Sequence, residues 1–123
     1  MNLRILLTLH GLVTLAAGVV LIVAPGLVPS AVGISVPEDA YLVCYLLGAA
    51  ELAVAFLSFA TLRQPDGVRL AAQTLIAFHG CTAAVEAYAF TRGVHVSIWA
   101  NVALRLAVIA LFTHYGLRRK RLT

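Results

Sequence analysis

At 123 residues, 62% of them hydrophobic and only 11% charged, the chain falls far short of the roughly 25% charged residues of an average soluble domain. A bilayer core takes about 20 apolar residues per helix, so four crossings would use most of the chain and leave no room for a separate soluble domain. The formal charge of +4 sits beside apolar segments and not among aromatic side chains on a polar face, which excludes nucleic acid as a partner and makes the basic residues signals of topology.

The first apolar segment covers about 3–24. Arg4 followed by the run 5–24 has the charged start and long apolar stretch of a signal peptide, but we read it as a first transmembrane helix. Pro25-Gly26 closes it. The connection 25–40 is apolar until Pro37-Glu38-Asp39, so it is expected to lie along the outer interface or fold over the helix ends, either as a lid or as a plain connector. A second segment, about 41–62, ends at Arg63-Gln64-Pro65-Asp66-Gly67, and a third, about 68–90, ends at Thr91-Arg92-Gly93. The fourth runs over about 94–117 and is followed by Arg118-Arg119-Lys120-Arg121. The expected fold is all-α: a single transmembrane domain over 1–123, built as a four-helix bundle with an apolar outer loop between helices 1 and 2. The short later connections predict helices 2, 3 and 4 as tight antiparallel neighbours, and the long first one makes helices 1 and 2 neighbours joined by a distant loop.

Alternating helices bring Arg4, Arg63, Arg69 and the C-terminal basic run to one side, and leave Arg92 with Glu38 and Asp39 on the other. The positive-inside rule then predicts a multi-pass protein of the inner (plasma) membrane with both termini cytoplasmic.

A charge at the centre of a membrane helix costs about 2.5–3.5 kcal/mol on insertion scales, so each one demands a partner or a wet cavity. Glu51, His79 and Arg105 each fall about midway along helices 2, 3 and 4. Glu86 follows His79 by seven residues and returns to nearly the same face, Asn101 precedes Arg105 by one turn, and Ser97 extends that stripe outward. Helix 2 carries Cys44, Gly48, Glu51, Ala55 and Ser58 down one face, and helix 1 offers His10, Thr14 and Gly18 at a spacing of four. These stripes are expected to face a common interior. Two glutamates against one arginine leave the cluster one proton short of neutrality. The expected arrangement pairs Glu51 with Arg105 and lets Glu86 and His79 share a proton. The bland alternative is a salt-bridged polar core that only fixes helix register.

Several chemistries are weighed against these residues. A b-type haem needs axial histidines at similar depth, and His10 with His114 is the better matched pair, but no other haem signal supports them. His114 and Tyr115 also sit where interfacial anchors are ordinary. Metal binding by His79, Cys81 and Glu86 fails because Cys81 lies about 200° around the helix from His79. Neither cysteine belongs to a CxxC pair, and both read as small packing residues. Without HExxH, a catalytic triad or a phosphate-cradling glycine loop, an enzyme has no nucleophile to name. A bound quinone stays open as a cofactor, because a histidine and a carboxylate can hydrogen-bond its oxygens. The small multidrug exporters carry their carboxylate in helix 1, and this helix 1 has none.

The stretch HGLVTLAAGVVLIVAPGLVPSAVGI, with its glycine-punctuated helix ending at a proline, followed by YLLGAAELAVAFLSF, resembles the small DoxX-like and DUF4345-type bacterial membrane proteins over about half the chain. The resemblance implies a four-helix fold, and some DoxX relatives are associated with thiosulfate and quinone redox chemistry. Those relatives often carry an arginine near the start of the second helix, where this chain has Tyr45, so no residue role is transferred.

The reading that results is a membrane protein binding a small or lipophilic ligand in a polar-lined bundle, as a transport or accessory subunit, with Glu51, His79, Glu86, Asn101 and Arg105 as the ligand-binding or proton-titrating residues and His10, Thr14 and Ser97 in support. The alternatives are a quinone-linked redox subunit and a structural subunit of a larger membrane complex. Expected partners are the lipid bilayer, a lipophilic ligand, and further copies of the chain or a larger complex.

Overall fold

The computed structural model describes residues 2–118, and the basic residues Arg119, Lys120 and Arg121 lie outside the described residues. The chain is 85% helical, with no strand among the described residues. Helix α1 (Leu3–Val23) begins at Asn2, whose side chain accepts the Ile5 N–H and caps an otherwise orphaned donor. A one-turn helix, α2 (Leu27–Ala31), lies in the connection, followed by α3 (Tyr41–Arg63) and α4 (Val68–Thr91). Helix α5 (Ile98–Phe112) continues through a wider π-helical turn, Thr113–Arg118. Four helical stretches, Leu3–Val23, Glu38–Arg63, Val68–Thr91 and Ile98–Arg118, are long and apolar enough to cross a membrane.

The last helix starts four residues later than the apolar pattern implies. Gly93 takes φ +99°, and the His95 ring nitrogen Nδ1 accepts the Ser97 N–H, so 94–97 is a turn that hands over to α5 at Ile98. Apolar composition alone does not distinguish a turn from a helix.

Two intimate helix pairs make up the bundle, α1 with α3 and α4 with α5. Contrary to the expectation from loop length, α1 and α3 pack most closely, whereas α3 and α4, joined by the short turn 64–67, touch little. The physical cause is glycine. A Cβ on Gly18 would sit 2.9 Å from the Gly48 carbonyl oxygen, and one on Gly48 equally close to that of Gly18. Backbone meets backbone at this crossing, as small residues permit in membrane helices. Gly11, two turns away, makes room for a side chain instead, with the Phe59 ring 2.8 Å from where its Cβ would be. In the other pair, Gly116 in the π-turn lies against Ala72, and Phe90 stacks edge-on to Trp99 at 5.5 Å.

The interior faces are those the stripes predict. Cys44, Gly48, Glu51, Ala55 and Ser58 are all buried on α3, as are His10, Thr14 and Gly18 on α1. An apolar core of Leu6, Leu7, Ala72, Leu75 and Phe112 joins the two pairs at the end of the bundle where α1 starts, the terminal end. At the opposite end, the Ser97 hydroxyl donates to the Val32 carbonyl at 2.7 Å, and Gly33, at φ +76°, lies against the His95 side chain. The connection 25–40 is therefore folded over the helix ends and tied to the α4–α5 turn.

Candidate functional site

At the centre, one chain of direct hydrogen bonds runs through all four long helices. Asn101 Nδ2 donates to Glu86 Oε1 at 2.6 Å, and Arg105 Nε donates to the same oxygen at 2.9 Å. Arg105 Nη1 reaches His79 Nδ1 at 3.3 Å. His79 Nε2 meets His10 Nε2 at 2.8 Å, and His10 Nδ1 meets Ser58 Oγ at 2.9 Å. Ser58 Oγ also donates to the carbonyl of Val54.

The direction of every proton in this chain follows from one fact, that a guanidinium can only donate. His79 Nδ1 must accept from Arg105, so the neutral ring carries its proton on Nε2 and donates to His10. His10 accepts at Nε2, carries its proton on Nδ1 and donates to Ser58, whose own proton goes to Val54. Both imidazoles are neutral in this arrangement, and a single proton lies between them.

Local helix geometry explains the placement. Asn101 and Arg105 are one turn apart on α5 and so present to one level of α4, where the antiparallel packing sets Glu86. The edge of the His10 ring meets the face of Phe112, 5.2 Å between centroids at 87°, which seals the terminal side of the pair with an apolar group.

This network corrects the expected pairing. Arg105 forms its ion pair with Glu86, the only ion pair among the described residues, and not with Glu51. Nor do Glu86 and His79 share a proton: the Arg105 side chain bonds both and stands between them. The reason is adjacency, since α5 packs on α4 and not on α3. Glu51 is buried at 8% exposure and makes neither a hydrogen bond nor an ion pair, although it lies within the electrostatic reach of Arg105. Glu86 Oε2 is also buried without a partner.

The supporting residues divide. His10 belongs to the centre of the network, bonded to His79 and not matched with His114, which stacks on its neighbour Tyr115 at 4.8 Å. Thr14 returns its hydroxyl to the His10 carbonyl of its own helix, and Ser97 serves the connection and not the cluster. Cys81 faces outward while His79 on the same helix is buried. Ser58 was visible in the α3 stripe, but nothing in its type marked it as a histidine's partner.

The arrangement can fix charges and exchange protons locally. It cannot pass a proton from end to end, because Arg105 interrupts the chain and a guanidinium does not give its proton up. Two open clefts lie away from the network: one of about 340 Å³ against the connection, lined by Gly26, Ser30, Gly33 and Ile34, and one of about 200 Å³ between α3 and α4, lined by Leu57, Thr61, Ala71 and Thr74. No protein family, no curated protein and no solved structure matches the chain.

Proposed function

We propose that this is a multi-pass protein of the plasma membrane, with both termini cytoplasmic, that holds a small lipophilic ligand in the bundle interior and acts as a transport or accessory subunit. The charge asymmetry supports the orientation: Arg4, Arg63, Arg69 and Arg118 belong to the terminal end, and only Arg92 offsets Glu38 and Asp39 at the other. The glycine and proline pattern of the first half keeps the DoxX-like group as the proposed kinship.

The observation that carries ligand binding is an orphan. Glu86 Oε2 is buried without a hydrogen-bond partner, and the Glu51 carboxyl on α3 makes no hydrogen bond either. A buried acceptor left unpaired costs about 1–3 kcal/mol, more when charged, so it calls for a group that donates. The fitting ligand presents an O–H, an N–H or a positive charge to these oxygens and an apolar body to the helices. A quinone offers only acceptors and leaves them orphaned, whereas its reduced form offers two hydroxyls. The redox alternative therefore runs through the quinol.

The test is mass spectrometry of small molecules extracted from protein purified in native-lipid discs. A donor-bearing amphiphile enriched over the bulk membrane extract, and reduced at least tenfold in Glu51→Gln, is the expected result. No enrichment in the wild-type protein would replace this reading with the structural one, which the direct bonds through four helices also favour.

A further inference from the structure

We infer that the bond between His10 and His79 is a proton-operated clasp between the two halves of the bundle, a property independent of any ligand the interior takes. The two halves are α1 with α3, locked by the reciprocal contact of Gly18 and Gly48, and α4 with α5, locked by Glu86, Arg105 and Asn101. Midway between the ends, the polar link from one half to the other is the 2.8 Å contact of the two Nε2 atoms. The apolar core around Leu75 and Phe112 holds the halves at the terminal end, and the bond from Ser97 to Val32 ties the connection at the other.

Such a contact exists with one proton between the nitrogens and with no other count. Arg105 occupies His79 Nδ1 as a donor, and Ser58, already donating to Val54, occupies His10 Nδ1 as an acceptor. Neither ring can take a second proton at its outer nitrogen without breaking a bond there. A proton added at the shared position sets N–H against N–H across 2.8 Å, which no hydrogen bond survives. Its charge also falls beside the Arg105 guanidinium, which repels it.

The charged and titratable groups facing the pair are few. Helix α5 presents Arg105, already engaged, and α4 presents Glu86, which Arg105 and Asn101 hold. Helix α3 presents Ser58 and, two turns along the same buried face, Glu51, while α1 contributes no charged group beside His10. On α3 the Glu51 carboxyl makes no hydrogen bond and is free to accept one from an imidazolium leaving the clasp. Protonation thus releases the halves at mid-depth, while the apolar core at the terminal end remains shut.

The full chain with 15N-labelled histidine, in detergent or lipid discs, gives a direct readout in the wild-type protein. At pH 8 a 15N–15N coupling through the hydrogen bond should link the Nε2 atoms of two histidines, one a donor and one an acceptor. Acidification to about pH 3 should abolish that coupling. Spin labels at Val19 of α1 and Leu104 of α5, both exposed, in a Cys44→Ala, Cys81→Ala background, should show a longer or broader separation at about pH 3 than at pH 8. In His10→Gln, which keeps a donor and an acceptor but does not titrate, that change should vanish. Absence of the coupling at pH 8, its survival at about pH 3, or an unchanged separation between pH 8 and about pH 3 with His10 and His79 intact would overturn the clasp. A shift that persists in His10→Gln would assign the movement to another group and overturn it equally.

Discussion

Arg105 is the residue on which the polar interior depends. Its guanidinium pairs with Glu86 and fixes the tautomer of His79, and through that ring the tautomer of His10. The pair is part-buried, and removing Arg105 leaves Glu86 without its charge-assisted partner, which costs about 1–3 kcal/mol. Arg105→Met should therefore lower the unfolding free energy in mixed micelles by about that amount. Arg105→Met combined with Glu86→Met should recover part of the loss, since Glu86 is then no longer stranded although Glu51 still loses the Arg105 charge. A double substitution as unstable as the single one would show that Arg105 acts through His79 more than through Glu86. The identities of these residues were legible in the sequence, because ionisable groups inside apolar runs identify themselves. Their partners were not. Depth counted from the helix breaks places His10, seven residues after Leu3, well short of His79, eleven residues after Val68. The bond between them shows that α1 and α4 are offset along their axes by about one turn.

Among the elements, α1 and α3 are held by geometry that two glycines create. A side chain at either position meets a backbone carbonyl, which cannot move aside without bending a helix. Gly18→Leu and Gly48→Leu should each destabilise the protein by about 1–3 kcal/mol, the usual range for overpacking, in the same micelle titration. Gly80 on α4 is the internal control. A Cβ there meets nothing within 4 Å, so Gly80→Ala should be neutral or stabilise by up to about 1 kcal/mol through helix propensity. Equal effects at Gly18 and Gly80 would refute the close crossing. Loop length misled the expected order of pairing because the entropy of closing a loop rises only slowly with its length, whereas contact between backbones falls away within an ångström or two. The π-turn at Thr113–Arg118 belongs to the same scale, since it carries Gly116 against Ala72.

For the whole molecule, the open questions are orientation and what fills the interior. Arginines gathered at one end of the bundle lead to the proposal of cytoplasmic termini. A reporter fused to the C-terminus that is active only in the cytoplasm should give full signal, and one active only outside should give none. Adding two lysines beside Arg92 should leave both signals unchanged, because Arg4, Arg63, Arg69 and the run Arg118-Arg119-Lys120-Arg121 still outnumber the basic residues of the other side. The four spans, their buried faces and the excess of one negative charge were determined by the sequence alone. Helical periodicity and the cost of a charge in hydrocarbon are local properties that any 20-residue window carries. The tertiary structure decided which glutamate takes the arginine, that two histidines face one another, and that Glu51 makes no hydrogen bond. Those outcomes depend on helix adjacency, axial offset and the closeness of glycine contacts. They are relations between segments far apart in the chain, and no single segment contains them.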